Sequence, residues 1–386
     1  MRRHVLCLDG TWNNAEREVD QVRPQQIENY ALYKPTNVLK TFRAIKPVAA
    51  DGVAQISYYS EGVGSFIGEP IRFSRLQRLS DRFVGGAFAG GFEARIKAAY
   101  RFLVANYRSE DQIFIFGFSR GAAQAQSLVR FIDWVGGVLE KQDEYYIPEL
   151  FATYRRTLGA AGEGAKVFDA IRERTKKPDQ IRDPRPVEVE MLGVYEMVFA
   201  LGSRLGADRE EDEVPGAAQR NAFHIGPAPP SLVRVVRQAL AIDETRFDYR
   251  PQVWKRRGGP AQSLVQLWFP GVHTNVGGGR KNDHLENGAL HWMIGEAKAR
   301  GLDLDGTYLG FYKAGLDGRG DGPSLGFRLL ETVRGKRNQG VRSLDHGPNA
   351  GIDLHPSARE LMEQDSGYRP RRLLQYLERH PEAGRA

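Results

Sequence analysis

The chain has 386 residues, of which 41% are hydrophobic and 27% are charged. These proportions are ordinary for a globular protein, and they exclude a disordered, collagen-like or coiled-coil chain. The net charge of +7 favours contact with anionic partners such as a phospholipid surface or an acidic substrate.

A single cysteine, Cys7, excludes an intramolecular disulfide bond, so the structure does not depend on an oxidising compartment. The first apolar stretch is too short for a signal peptide, and no long apolar run predicts a transmembrane helix. We expect cytoplasmic synthesis, with export by a signal-less route left open. Because no dense Lys/Arg block with interleaved aromatic residues occurs, we expect no nucleic-acid partner.

Strands and helices alternate along the first 300 residues. Apolar runs that end at turn residues predict strands at residues 5–8, 55–59, 112–116, 187–194 and 263–269. Helical spacing of apolar residues predicts helices at residues 36–45, 92–107, 122–132, 230–241 and 285–298. This alternation predicts the α/β class, with a mainly parallel sheet covered by helices on both faces.

The remaining segments are polar, charged or rich in glycine. Residues 13–36 predict a surface loop, and residues 62–91 a mobile loop with a short helix. Residues 140–186, which are helical and then charged, and residues 203–229 are interpreted as insertions or a lid. Residues 1–300 then form one domain. Residues 301–386 form a C-terminal helical extension packed on it, with helices near residues 359–363 and 371–379.

One motif carries chemistry: Gly117-x-Ser119-x-Gly121 lies between a predicted strand and a predicted helix. This is the context of a nucleophile elbow, in which the serine sits on a sharp turn and small neighbours let the backbone fold back closely. The N–H of Arg120, at the start of the following helix, is suited to bind an oxyanion. We therefore predict an α/β-hydrolase-like fold with Ser119 as the nucleophile.

A serine nucleophile needs a base, and the base needs an acid. In this fold the chain order is Ser, acid, His. His273 follows a predicted strand and precedes three glycines, so we expect it to be the base. Glu196 follows the strand at residues 187–194 and is the predicted acid, with Asp243 and Asp283 as competitors.

The loop after the first strand is Asp9-Gly10-Thr11. In such a sheet this loop lies beside the elbow. The N–H groups of Gly10 or Thr11 could complete an oxyanion hole, or Asp9 could anchor the loop through its side chain. Both interpretations stay open. No metal or other cofactor is expected.

Six motifs occur in order, at residues 8–13, 58–64, 117–122, 192–196, 239–244 and 268–279. Together they resemble a bacterial and fungal α/β-hydrolase domain family that includes the type VI secretion phospholipase effectors. The resemblance covers residues 4–298 and implies a Ser-Asp-His triad and ester hydrolysis, with phospholipase A activity in the effectors. Motif matching assigns Ser119, His273 and Glu196 to the triad, with Glu196 and Asn275 at positions where the family often has Asp.

The leading hypothesis is a serine hydrolase that cleaves carboxylic esters through an acyl-enzyme, with a lipid as the substrate and possible peripheral membrane contact. One alternative is an esterase of a small soluble ester. Another is a non-catalytic binding or regulatory protein that keeps the hydrolase fold. Labelling of Ser119 by a fluorophosphonate would separate an enzyme from a binding protein.

Overall fold

The protein is described by a computed structural model. The structure describes residues 1–10, 35–62, 85–157, 159–175, 178–198, 226, 228–246, 249–256, 262–318 and 342–385.

A parallel sheet of seven strands forms the centre of the described molecule. The strands in chain order are β1 Arg3–Leu8, β2 Gln55–Ser60, β3 Gln112–Phe118, β4 Val189–Tyr195, β5 Val233–Ala241, β6 Ser263–Phe269 and β7 Ile352–Leu354. Their order across the sheet is β2-β1-β3-β4-β5-β6-β7, and each neighbouring pair is parallel. The carboxyl ends of all these strands therefore meet at one edge, where ligands bind in open α/β sheets.

Helices cover both faces of the sheet. In chain order they are α1 Asn37–Ala44, α2 Gly85–Asn106, α3 Arg120–Val135, α4 Ile147–Arg156, α5 Glu163–Arg174, α6 His273–Gly277, α7 His284–Ala299, α8 Gly306–Leu309, α9 Ser357–Gln364 and α10 Arg371–Arg379. One apolar core lies between the sheet and α2–α5, and a second lies between the opposite face and α1 and α6–α8. None of the helices in the described ranges combines the length and apolarity that crossing a bilayer requires.

The predicted fold class is confirmed, and the central strands show why. β3 and β4 are buried along nearly their whole length. A strand covered on both faces needs apolar side chains on both faces, which gives an unbroken apolar run rather than an alternating one. The run at residues 112–116 therefore predicted a central strand correctly.

The helix predicted at residues 230–241 is wrong, because residues 233–241 form β5. Short apolar runs fit a buried strand as well as a helix, and Val233, Val235 and Val236 favour the extended form. Arg237 interrupts the apolar run with a charged side chain. In the structure its guanidinium leaves the sheet and binds Glu296 on α7, with Nε 2.7 Å from Oε2.

The two segments interpreted as insertions or a lid differ in how much of each the structure describes. In residues 140–186, α4 and α5 pack on the far half of α3, where Phe151 and Tyr154 contact Phe131. Phe131 lies roughly 18 Å along α3 from Ser119 at a rise of 1.5 Å per residue. These two helices therefore pack on the part of α3 away from Ser119, and the interpretation of the segment as an insertion or a lid stays a prediction. Residues 203–225 and 227 of the second segment lie outside the described residues, as do residues 11–34 of the loop predicted at residues 13–36 and the turn before it.

Two other boundaries differ from the sequence prediction. The helix predicted to begin at residue 92 begins at Gly85, within the segment interpreted as a loop, and residues 63–84 lie outside the described ranges. In the C-terminal extension, α9 and α10 pack with Leu354 against Leu240 and Trp268 of the sheet. The extension also supplies β7, a three-residue strand at the sheet edge that was not predicted.

Candidate active site

The turn after β3 has the geometry of a nucleophile elbow. Ser119 adopts φ 56° and ψ −120°, which is a strained conformation for a residue with a side chain. Its N–H donates to Tyr195 O at 3.0 Å, and α3 begins at the next residue, Arg120. A Cβ on Gly121 would lie 2.1 Å from Leu8 O. The second glycine of the motif is therefore required by the close approach of α3 to the end of β1.

Replacing Gly121 with alanine should destabilise the protein by about 3 kcal/mol, the upper part of the range for overpacking, because the Cβ collides with backbone atoms that cannot rotate away. Gly288→Ala is the matched control. Gly288 lies in α7, and a Cβ added there would have no neighbouring atom of the described chain within 4 Å, so this change should be neutral or stabilising. Urea unfolding of both variants gives the comparison. Equal stabilities would contradict the close approach of α3.

His273 and Glu196 meet above the carboxyl edge of the sheet. Glu196 directly follows β4, the neighbour of β3, and His273 is the first residue of α6 after β6. His273 Nδ1 lies 2.9 Å from Glu196 Oε2. The ring of Phe118, the residue before Ser119, lies 4.8 Å from the His273 ring between centroids. The structure thus brings the predicted acid and base together, beside the end of the strand that carries Ser119.

α6, which begins with His273, packs against the end of β3 although β4 and β5 lie between β3 and β6. A Cβ on Gly277 would lie 1.8 Å from the Phe118 ring, so only glycine fits there. Asn275 stabilises the start of α6, because its Oδ1 accepts the Val272 N–H at 3.1 Å. The first of the three glycines after His273 is therefore in close contact with the residue before Ser119.

Glu196 is fully buried and both of its oxygens are hydrogen-bonded. Oε1 accepts the Ala241 N–H at 2.6 Å and Arg342 Nη1 at 2.7 Å, and Oε2 accepts Arg342 Nη2 at 2.8 Å. Burial alone would raise the pKa of Glu196, but the Arg342 guanidinium and His273 lower it below its usual value. Glu196 is therefore a carboxylate, and its Oε2 accepts a hydrogen bond from the N–H of His273 Nδ1.

That hydrogen bond determines the form of the imidazole. With the proton on Nδ1, a neutral His273 keeps a lone pair on Nε2, the atom that a general base uses. Nε2 has no hydrogen-bond partner within the described ranges. Burial lowers the pKa of His273, and the hydrogen bond to Glu196 only partly opposes this effect. The imidazole of His273 is therefore neutral near neutral pH, the form that a general base requires.

The competing acids have other partners. Asp243 Oδ2 accepts the Gly271 N–H at 2.6 Å and the Tyr368 hydroxyl at 3.0 Å, and Asp283 pairs with Lys40 at 3.2 Å. Neither carboxylate contacts the His273 ring in the hydrogen bonds described. Glu196 is therefore the carboxylate that the structure pairs with His273.

Asp9, at the end of β1, is hydrogen-bonded in the way that one of the two interpretations of this loop expects. Its carboxylate accepts the hydroxyls of Thr36 at 2.6 Å and Tyr59 at 2.8 Å, and the Gly10 N–H at 2.6 Å. Burial raises the pKa of Asp9 to about 6, although these hydrogen bonds oppose the change. The Gly10 N–H thus serves Asp9 here. The oxyanion role of Gly10 stays a prediction, as it does for Arg120, and Thr11 lies outside the described residues.

Residues 2–296 match the family model described as the catalytic domain of Tle1-like phospholipase effectors of the type VI secretion system. The chain belongs to this family. The match covers β1 to β6 and the helices between them, including Ser119, Glu196 and His273. It ends before Arg342.

Three individual proteins are similar to parts of this chain. An uncharacterized protein of Saccharomyces cerevisiae is 26% identical over 254 residues, which are 64% of this chain and 32% of that protein. A crystal structure of an uncharacterized Pseudomonas aeruginosa protein has a TM-score of 0.44 at 17% identity and covers 81% of this chain and 49% of that one. A Tle1 effector bound to the VgrG spike has a TM-score of 0.34 at 20% identity, with coverage of 72% and 51%. The chain spans about a third of the yeast protein and about half of each solved chain.

A buried ion cluster stabilises the turn that follows α6. Lys40 Nζ on α1 lies 2.8 Å from Glu286 Oε1 and 2.8 Å from Asn287 Oδ1, both on α7. Glu286 also accepts the N–H groups of Gly279 and Arg280. The cluster therefore fixes the chain just after α6. Sequence reasoning missed it, since charged residues spaced along two helices usually indicate solvent-exposed faces.

No metal site is visible in the described part of the Tle1-like domain: no three His, Cys, Asp or Glu side chains there are grouped to hold an ion. The single cysteine, Cys7, is buried inside β1, and burial raises the pKa of its thiol far above the usual value. Cys7 is therefore unsuited to act as a nucleophile.

Proposed function

We propose that this Tle1-like domain is a serine hydrolase that cleaves carboxylic esters of phospholipids through an acyl-enzyme on Ser119. The observation that carries the proposal is the pairing of His273 with the buried, ionised Glu196 beside the elbow that presents Ser119. A serine on a strained strand-to-helix turn, a neutral histidine and a carboxylate are the parts that acyl transfer requires.

In the proposed acylation, the Ser119 Oγ–H proton passes to His273 Nε2 while Oγ bonds to the ester carbonyl carbon. The carbonyl oxygen becomes an oxyanion, which the Arg120 N–H at the start of α3 stabilises together with the positive end of the helix dipole. Glu196 stabilises the imidazolium that forms. The intermediate then breaks its bond to the leaving alcohol, which takes the proton from His273.

In the proposed deacylation, His273 Nε2 takes a proton from water as the water oxygen bonds to the acyl carbon. Collapse of the second intermediate breaks the bond to Ser119 Oγ. His273 returns the proton to Oγ, which releases the fatty acid and restores the enzyme. Each step uses the same proton path, so loss of His273 or of the tautomer fixed by Glu196 stops both halves.

A phospholipid is the proposed substrate class because the family model is that of phospholipase effectors and the chain carries a net charge of +7. A positive surface binds anionic lipid, and salt weakens that attraction. We therefore propose peripheral contact with a membrane during turnover.

Turnover of lipid vesicles against turnover of short soluble esters tests the substrate class. We expect fatty-acid release from vesicles that contain anionic phospholipid, faster than from zwitterionic vesicles and slower as salt is raised. Ser119→Ala protein in the same assay is the control for fatty-acid release that does not depend on Ser119. Turnover confined to short soluble esters, with no release from either vesicle, would contradict a phospholipid substrate and favour a small ester.

A further inference from the structure

Arg342 lies in the candidate site although it comes from the C-terminal extension. Its two terminal nitrogens form a fork on the two oxygens of Glu196, at 2.7 and 2.8 Å. The same nitrogens donate to Ala241 O at 2.7 Å and Tyr249 O at 2.6 Å. The residue is 5% exposed. Two backbone carbonyls thus orient a buried guanidinium toward the carboxylate that contacts His273.

The extension holds this residue in place. Leu344, two residues later, is buried with Leu240 and Trp268 of the sheet, and the Trp268 indole N–H donates to Leu344 O at 3.2 Å. The family match ends at residue 296, so the matched region does not include Arg342. A segment outside the matched domain therefore contacts the proposed catalytic acid.

We propose that Arg342 is a positioning residue that holds Glu196 in its ionised form and orientation and so sets the pH range in which His273 acts as a base. This inference rests on the proposed hydrolase function. It assigns the C-terminal extension a role in the chemistry of the site as well as in packing.

The charge balance explains the expected effect. An isolated buried carboxylate attracts a proton strongly, either onto itself or onto the histidine beside it. With Arg342 present, the positive charge of the guanidinium offsets the negative charge of Glu196. The imidazolium form of His273 is then stabilised less by Glu196. Without Arg342, the Glu196–His273 pair binds its proton up to a higher pH. Whether this proton lies on Glu196 or on His273, His273 no longer acts as a general base.

The other charged groups near His273 do not take the place of Arg342 beside Glu196. Glu244 accepts the His273 backbone N–H at 3.2 Å and is itself paired with Arg246 at 2.7 Å. Arg246 lies over the ring of Tyr249, and that ring contacts the edge of His273. Because Glu244 and Arg246 are paired with each other, Arg342 is the cation in direct contact with the acid of the pair.

The test is the pH dependence of kcat/KM for Arg342→Gln and Arg342→Lys. At low pH, kcat/KM falls as His273 becomes protonated, and this part of the profile is its acid limb. The wild-type acid limb should lie below pH 6.5, the usual pKa of histidine, because the pKa of His273 is lowered. In Arg342→Gln the limb should move to higher pH by about one unit, as expected for loss of a neighbouring charge. Arg342→Lys should restore the limb but lower kcat, since an ammonium cannot form the fork.

Arg359→Gln is the matched control. Arg359 lies in the same extension, and its guanidinium donates to a backbone carbonyl, Ala383 O, at 2.5 Å. Its loss tests the general cost of loosening the extension, and it should leave the limb unchanged. A folded Arg342→Gln protein whose limb matches wild type would overturn the proposal. If Arg342→Gln does not fold, Arg342→Lys with unchanged kcat would overturn it.

Titration of the His273 ring by NMR separates this inference from the function itself. In resting protein the pKa of His273 should be higher in Arg342→Gln than in wild type, whether or not any ester is cleaved. A wild-type chain that cleaves no ester contradicts the hydrolase proposal. Equal histidine titration in the two proteins contradicts the role of Arg342.

Discussion

Replacing Ser119 with alanine should lower kcat for ester hydrolysis by roughly a million-fold, the size of loss seen when a serine protease loses its nucleophile. The hydroxyl oxygen is the atom that bonds to the acyl carbon, and alanine offers no substitute. A residual rate roughly 10³-fold above that of water should remain, from oxyanion binding and substrate orientation. Initial rates on vesicles and on a short ester measure the loss.

Stability should hardly change in Ser119→Ala, because the strained φ of 56° belongs to the backbone and alanine meets the same strain. Ser263→Ala is the control. Ser263 begins β6 at the opposite edge of the sheet from His273 and should keep full activity. Retention of more than about one per cent of the wild-type rate in folded Ser119→Ala would show that another group is the nucleophile.

Replacing Glu196 with glutamine should lower kcat by about 10⁴-fold, as loss of the triad carboxylate does in serine proteases. The carboxylate accepts hydrogen bonds on both oxygens, whereas an amide places an NH₂ donor on one side. If that donor faces His273, the proton moves to Nε2 and the base is lost. If it faces the Ala241 N–H and Arg342 Nη1, the amide NH₂ meets two other donors in a buried site.

The stability of Glu196→Gln should also fall, by about 3–5 kcal/mol, because Arg342 is left as a buried cation without its anion. The double variant Glu196→Gln, Arg342→Gln removes both charges, so its unfolding free energy should recover in part while kcat stays low. Urea unfolding and initial rates on both proteins separate the two effects. Full activity in folded Glu196→Gln would mean that another group orients His273.

Local features made much of the site predictable from sequence. The elbow depends on a buried strand, a helix start and glycines that touch nearby backbone, and all of these leave a mark within a few residues of Ser119. The pairing of Glu196 with His273 spans 77 positions. It was still predictable, because parallel strands deliver their carboxyl ends to one edge and the chain order of the triad is fixed by the fold.

Tertiary contacts decided what could not be predicted. The spacing of the apolar residues in β5 fits a helix as well as a buried strand, and the weak preference of its valines for the extended form did not decide between them. β7 is three residues long, too short to show a period. Arg342 carries no motif and is placed by the packing of Leu344 and by two carbonyl groups. A buried carboxylate at Glu196 needs a cation beside it, but the burial of Glu196 could not be predicted from the sequence.

Reaction of the folded chain with a fluorophosphonate, followed by peptide mass spectrometry, tests the central claim most directly. A phosphonyl group should appear on Ser119 of the wild-type protein. Labelling should be lost in His273→Ala and after denaturation, because the serine is then not activated. Repeated failure to label folded wild-type protein, or labelling at a residue other than Ser119, would contradict the claim that Ser119 is an activated nucleophile.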